Sequence, residues 1–315
     1  MTHTATITPL NTQEGHDTMK PSHTPEPRRV KSIVTAHRQT EGGGFIVRRP
    51  FPSQDLDLLD PFLLLDEMGP VTYAPGKAVG APDHPHRGFE TVTYLLEGEM
   101  KHKDSAGHQG VLRPGDVQWM TAGSGVVHSE MPSQKMLDNG GPMHGFQIWV
   151  NLPARLKMTR PRYQEVAQHQ IPTATSPDGL AKVRIIAGKA LGAEAIIDTH
   201  TPMVYHDWTI QPGGHVSIDI SPDHNVGVYV FSGKVLVGSE SQEVEDGQLA
   251  VLTTGLTIQL AVSTEQQTGA RFLVLGGIPH GEPVARQGPF VMNTKEELQQ
   301  AFADYQGGRM GRIQT

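Results

Sequence analysis

The sequence predicts an all-β protein made of two similar barrels, and three observations carry that prediction. Glycine (35) and proline (24) are abundant among the 315 residues, so turns are frequent and long helices disfavoured. Short β-rich apolar runs end at glycine turns, as in Thr91-Val-Thr-Tyr-Leu-Leu-Glu-Gly98. The same order then returns: Val226-Gly-Val-Tyr-Val-Phe-Ser-Gly233 parallels the run ending at Gly98, and residues 244–252 parallel the Pro114-Gly115-Asp116 segment. Two weakly similar halves of this kind imply a duplicated antiparallel, jelly-roll-like barrel.

Taken in order, residues 1–29 are rich in Thr, His, Pro and Gln and lack the apolar core of a secretory signal. They are expected to form a disordered leader. The first barrel is expected over 30–155. Its strands are placed at 45–47 with a polar end at Arg48 and Arg49, at the compact apolar run 60–68, and at 91–98, 110–120 and 144–150. A spacer over roughly 155–178 holds several prolines and crosses to a second barrel within 156–315. The one clear helix covers 294–305, with Thr294 as N-cap, Glu297 completing a capping box and Gly307-Gly308 as the stop. It reads as a packing element.

Composition removes several function classes. There is no cysteine, hence no disulfide, thiolate metal ligand or cysteine nucleophile. A net charge of −7 without a long basic run argues against general nucleic-acid binding. No run approaches the ~20 apolar residues that span a bilayer, so no membrane association is expected and the default location is cytoplasmic. Phosphate loops, a Ser-His-Asp order and a dinucleotide fingerprint are missing.

What remains is a metal constellation. In an extended chain residues two apart point the same way, so His84 and His86 can meet one ion. His128 and Glu130 repeat the spacing, and two strands side by side would converge three imidazoles and a carboxylate. Such donors suit one divalent ion among Fe, Cu, Ni, Zn, Mn and Co. The second half supplies a control. Aligning Gly98 with Gly233 puts Asp219 and Ser221 at the positions of His84 and His86; aligning Gly115 with Gly247 puts Leu260 and Val262 at those of His128 and Glu130. Barrel architecture without the ligands argues that these side chains serve a metal and not the fold. Trp119, Trp149 and Met120 read as core, while nothing decides the roles of His102, His108 and His144. Arg48, Arg49 and Arg87 are candidates for a partner surface, with ordinary salt links the plainer reading.

Gly80-x3-His84-x-His86-x3-Glu90-x7-Gly98, followed by Pro114-Gly115-Asp116 and His128, resembles the two cupin motifs. More narrowly, the chain resembles the pirin family through residues 41–49, 60–68, 84–94, 123–130, 147–153 and 288–294, a likeness running from about Arg29 to the C-terminus. The resemblance implies a bicupin with a short C-terminal helix. It further implies a metal, usually iron as Fe(II), on His84, His86, His128 and Glu130. Glu90, a ligand in many other cupins, is by analogy a neighbour of the ligands only. Some pirins resemble quercetin 2,3-dioxygenases, which open a flavonol ring with dioxygen and release carbon monoxide. That implies a flavonol-like substrate and dioxygen as co-substrate. Glu130 is then the candidate catalytic base, since a carboxylate ligand can leave the metal and take a proton, with a plain charge-balancing ligand the equal alternative. Other pirins are described as iron-dependent regulators of a transcription factor or a central metabolic enzyme, so a regulatory protein partner is the alternative.

Overall fold

The computed structural model describes residues 26–41 and 43–313. Its first half contains a seven-stranded antiparallel sheet in the order Arg162–Val166, Val117–Thr121, Phe89–Glu97, Gly141–Asn151, Phe62–Tyr73, Phe45–Phe51, His37–Glu41. A four-stranded sheet accompanies it, ordered Ala81–His86, Val126–Pro132, Met100–Asp104, Gln109–Leu112. The second half repeats both. Its large sheet runs Val30–Thr35, Gln248–Leu252, Asn225–Ser232, Ala270–Gly277, Met203–Ile210, Ala181–Ala187, Thr173–Thr175; its small one runs His215–Asp219, Thr257–Ala261, Lys234–Val237, Gln242–Glu245. The strand orders correspond position by position, so the expected duplicated all-β fold is present.

Strand membership crosses the expected boundaries at 30 and 155. Val30–Thr35 pairs with Gln248–Leu252 of the second sheet, and Arg162–Val166 pairs with Val117–Thr121 of the first. Each domain thus takes an edge strand from the segment that leads into the other, which covers an edge that would otherwise expose its hydrogen-bonding groups. The folded chain also begins before Val30. Arg28, assigned to the leader from the sequence, is buried, and its guanidinium donates to the carbonyls of Thr253 and Ser221 at 2.9 and 2.7 Å. The rest of the expected leader, residues 1–25, lies outside the described residues.

Side-chain alternation along the large sheets splits each into two faces. In the strand Phe89–Glu97, Val92 and Tyr94 point into a shared core with Trp119, Phe146 and Ile148, packed against Tyr205, Tyr229, Phe231, Leu273 and Leu275 of the second domain. Polar contacts cross this core reciprocally. The Tyr94 hydroxyl donates to Asp207 at 2.7 Å, and the Tyr229 hydroxyl donates to Glu67 at 2.6 Å. The opposite face, with Thr91 and Thr93, looks into the first barrel.

The helix Lys295–Gln306 forms as expected. Thr294 Oγ1 accepts from the Glu297 amide at 3.2 Å, and the Glu297 carboxylate accepts from the Thr294 amide at 3.0 Å. A second helix, Gln134–Asn139, was not expected; six residues capped by Ser133 are too short to show a helical period. Among the described residues no helix is long and apolar enough to cross a membrane. Beyond Gly277 the chain returns to the first domain, where Phe290, Met292, Leu298, Ala301 and Met310 pack with Val127.

Candidate metal centre

His84 and His86 lie on the strand Ala81–His86, which pairs antiparallel with Val126–Pro132 so that His84 stands directly opposite His128. Directly paired residues share a face, and residues two apart on one strand do too. The three rings therefore converge: their centroids are 4.7 Å (His84–His86), 4.4 Å (His84–His128) and 5.0 Å (His86–His128) apart. One nitrogen from each lies within 4.8 Å of the other two.

Hydrogen bonding selects which nitrogens are free. His84 Nδ1 lies 2.7 Å from the Pro82 carbonyl and His86 Nδ1 lies 3.2 Å from that of Pro289. A carbonyl only accepts, so both Nδ1 atoms carry the hydrogen and both Nε2 lone pairs are left for a metal. His128 is buried and neither of its ring nitrogens has a hydrogen-bond partner, an arrangement that is costly unless something else engages them. Burial holds the His86 imidazolium down to about 3, with His84 adding to the effect; burial and then the two other imidazoles push His128 well below its ordinary value. His86 and His128 are therefore neutral at pH 7, the form that binds metal. These residues fit a divalent ion.

Glu130 is on the same strand as His128 but stands outside the tight trio. A register shift follows His128, and Glu130 Oε1 accepts from the Thr93 hydroxyl at 3.0 Å. It lines the same cavity as His84 and His86, a chamber of about 850 Å³. The walls are mostly apolar, with Phe45, Val47, Leu63, Leu64, Met68 and Trp149, while Arg49 and Asp66 form a polar patch joined by two 2.6 Å hydrogen bonds.

Several sequence-based assignments change. Glu90 does not adjoin the trio. It shares parity with Val92 and Tyr94, so its carboxylate turns toward the second domain, accepting from Thr121 Oγ1 at 2.6 Å with His200 Nε2 at 3.9 Å. Its burial raises its pKa to about 7. Trp149, read as core, instead forms cavity wall, edge-on to the His86 ring at 5.3 Å. Trp119 and Met120 are core as expected. His144 faces away and contacts Glu67 at 2.8 Å, whereas His102 is buried and lies 2.9 Å from Glu165. Arg48, Arg49 and Arg87 are engaged by Glu67, Asp66 and Asp304 respectively. The repeat alignment slips on the strand corresponding to Ala81–His86: Asp219 and Ser221 are exposed, and Val216, paired with Leu260, is the counterpart of the His84–His128 pair. Among the described residues the three-His cluster has no equivalent in the second barrel.

Sequence reasoning missed Pro289, Thr93 and Gln147. Thr93 was within reach, because it shares parity with Thr91 and faces opposite to Tyr94. Pro289 was not, being 203 residues from His86. The segment carrying it is tied down by Lys157, whose Nζ donates to the carbonyls of Gly88 (2.9 Å) and Val291 (3.1 Å) and to Asn151 Oδ1 (2.7 Å). Gly88 has φ +89°, and a Cβ there would collide with the Val291 carbonyl, so the two backbones meet only because residue 88 is glycine.

Residues 44–150 match the family model described as Pirin, and 205–311 match the Pirin C-terminal cupin domain. A pirin-like protein of Solanum lycopersicum is 44% identical over 285 residues, covering 90% of this chain and 94% of that protein. Human pirin is 42% identical over 287 residues, with the same coverage of each. Among solved structures, a quercetin 2,3-dioxygenase from Acinetobacter baumannii superposes with a TM-score of 0.84 at 36% identity, covering 91% of this chain and 99% of that one.

Proposed function

The chain belongs to the pirin family, and on that premise we propose that it is a metal-dependent dioxygenase of the quercetin 2,3-dioxygenase type, opening the ring of flavonol-like substrates. The observation that carries this reading is the convergence of three imidazoles beside a large, mostly apolar cavity whose wall includes two of them, His84 and His86. Likeness to the Acinetobacter baumannii quercetin 2,3-dioxygenase supports it. His84, His86, His128 and Glu130 would hold one divalent ion, with Fe(II) favoured and Cu, Ni, Zn, Mn and Co open to the same donor set. Bound there, the ion would supply Lewis acidity toward a ring hydroxyl and redox chemistry toward dioxygen. The chain's own residues do the rest. Trp149, Leu63, Leu64, Phe45 and Met68 present flat apolar surface that buries an aromatic substrate and excludes water. Glu130, a carboxylate on the same wall, accepts the hydroxyl proton.

The test is aerobic incubation of iron-loaded protein with quercetin, following loss of its visible absorbance and release of carbon monoxide. Loss no faster than with metal-free protein would overturn the enzymatic reading. Glu130→Gln is expected to keep metal and lose about 10²–10⁴-fold in turnover, the usual weight of a general base. Full turnover in that metal-replete variant removes the base role.

A non-enzymatic, iron-dependent regulatory protein is the second reading. One observation favours it: Arg87, next to His86, is ion-paired at 2.7 Å with Asp304 of the C-terminal helix, a physical link from the site to an outer element. Iron-dependent binding of a protein partner by a chain that leaves quercetin intact is the result this reading expects.

A further inference from the structure

A row of polar side chains runs across the inner face of the first domain's large sheet. In register, Asp66 stands beside Gln147, Gln147 beside Thr93, Thr93 beside Gln118, and Gln118 beside Glu165. The second domain has the same strand order, and its equivalent row is His206, Val274, Val228, Ala250 and Ile33. Four of those five are apolar. The barrel therefore folds with hydrocarbon in this row, and buried polar groups there cost free energy that the fold alone does not require.

Thr93 sits at the centre of the row and is 1% exposed. Its Oγ1 lies 3.0 Å from Glu130 Oε1 and 2.8 Å from the oxygen, Oε1, of the Gln147 side-chain amide. A hydroxyl has one hydrogen to give, and an ionised carboxylate can only accept. The Thr93 hydrogen accordingly goes to Glu130, and the Gln147 amide turns its NH₂ toward Thr93, since amide oxygen and nitrogen exchange places by a simple flip. The result is a directed chain in which Gln147 donates to Thr93 and Thr93 donates to Glu130.

We propose that Thr93, oriented by Gln147, occupies one oxygen of Glu130 and so restricts that carboxylate to a single oxygen toward a metal held by the three imidazoles. Thr93 and Gln147 are positioning residues. A carboxylate free of Thr93 could turn both oxygens to the ion and take up a coordination position that a small ligand would otherwise use. This rests on Glu130 being a metal ligand, as set out under the proposed function, and its test uses no flavonol.

The experiment is a Co(II) titration of metal-free protein followed by visible absorption, with chelator competition for affinity and azide as the incoming ligand. Thr93→Val is isosteric and lacks the hydroxyl. It is expected to hold Co(II) at least as tightly as the wild type, with an azide response at least ten-fold weaker. Thr93→Ser keeps the hydroxyl and is expected to restore the wild-type response. A merely structural role for Thr93 would weaken Co(II) binding in Thr93→Val, and that result, or an azide response equal to the wild type, overturns the proposal. Should Thr93→Val not fold, Gln147→Met at a half-buried position serves in its place, with the same expected direction and the same overturning results. Wild-type protein without flavonol turnover would sink the dioxygenase reading and leave this inference to stand or fall on Co(II) and azide alone.

Discussion

At the residue scale, His128 is where metal and fold make opposite demands. Its buried nitrogens have no protein partner, and an unsatisfied buried polar group costs about 1–3 kcal/mol. In metal-free protein His128→Leu is therefore expected to raise the stability measured by urea unfolding, by about 1 kcal/mol. In the same variant metal content is expected to fall from one ion per chain to near zero, checked by elemental analysis of protein purified without chelator. His84→Ala should lose metal as well; undiminished metal in both variants would refute the site. Parity in the sequence was enough to nominate these side chains. It left Glu90 ambiguous, because alternation says which residues share a face and not which layer that face meets.

At the element scale, the C-terminal segment acts as a strap that completes the site. Pro289 orients the His86 ring, Lys157 fixes both backbones beside that contact, and Arg87 ties the end of the strand carrying His84 and His86 to the helix through Asp304. The Arg87 guanidinium holds the Asp304 carboxyl down to about 2. A carboxyl depressed in the folded state contributes stability above its unfolded value, near 3.9, and that contribution is lost as the pH falls toward the folded one. Asp304→Asn is accordingly expected to unfold at lower urea than the wild type at pH 7, with the gap closing between about pH 4 and 2. A gap constant across that range would show that Asp304 contributes by packing alone. The helix itself was legible, since capping boxes are local chemistry. The edge strands Val30–Thr35 and Arg162–Val166 were not assignable, because a strand's pattern does not name the partner that covers it.

For the whole molecule, the two domains are joined by a core carrying two reciprocal tyrosine–carboxylate hydrogen bonds and by the exchange of edge strands. Burial, together with Glu67, raises Tyr229 well above its ordinary value, so its hydroxyl stays protonated and available as a donor. Tyr229→Phe removes one donor from the buried Glu67 and is expected to cost about 1.5–3 kcal/mol, the range for hydrogen bonds to charged groups. Because each sheet holds a strand from the other half, unfolding is expected to remain a single transition in which fluorescence and far-ultraviolet dichroism coincide. Separate transitions for the two probes would show that the domains unfold independently.

By itself the sequence determined the duplicated β architecture, the capped C-terminal helix and the His84, His86 and His128 trio. All of these follow from period-two alternation, turn chemistry and spacing within a few residues. Tertiary structure alone decided that Glu90 turns to the domain interface, that Trp149 walls the cavity, that Glu130 is held by Thr93, and that a carbonyl 203 residues away orients His86. Those outcomes depend on which face of one layer meets which face of another, and such contacts between distant segments leave no periodic trace along the chain.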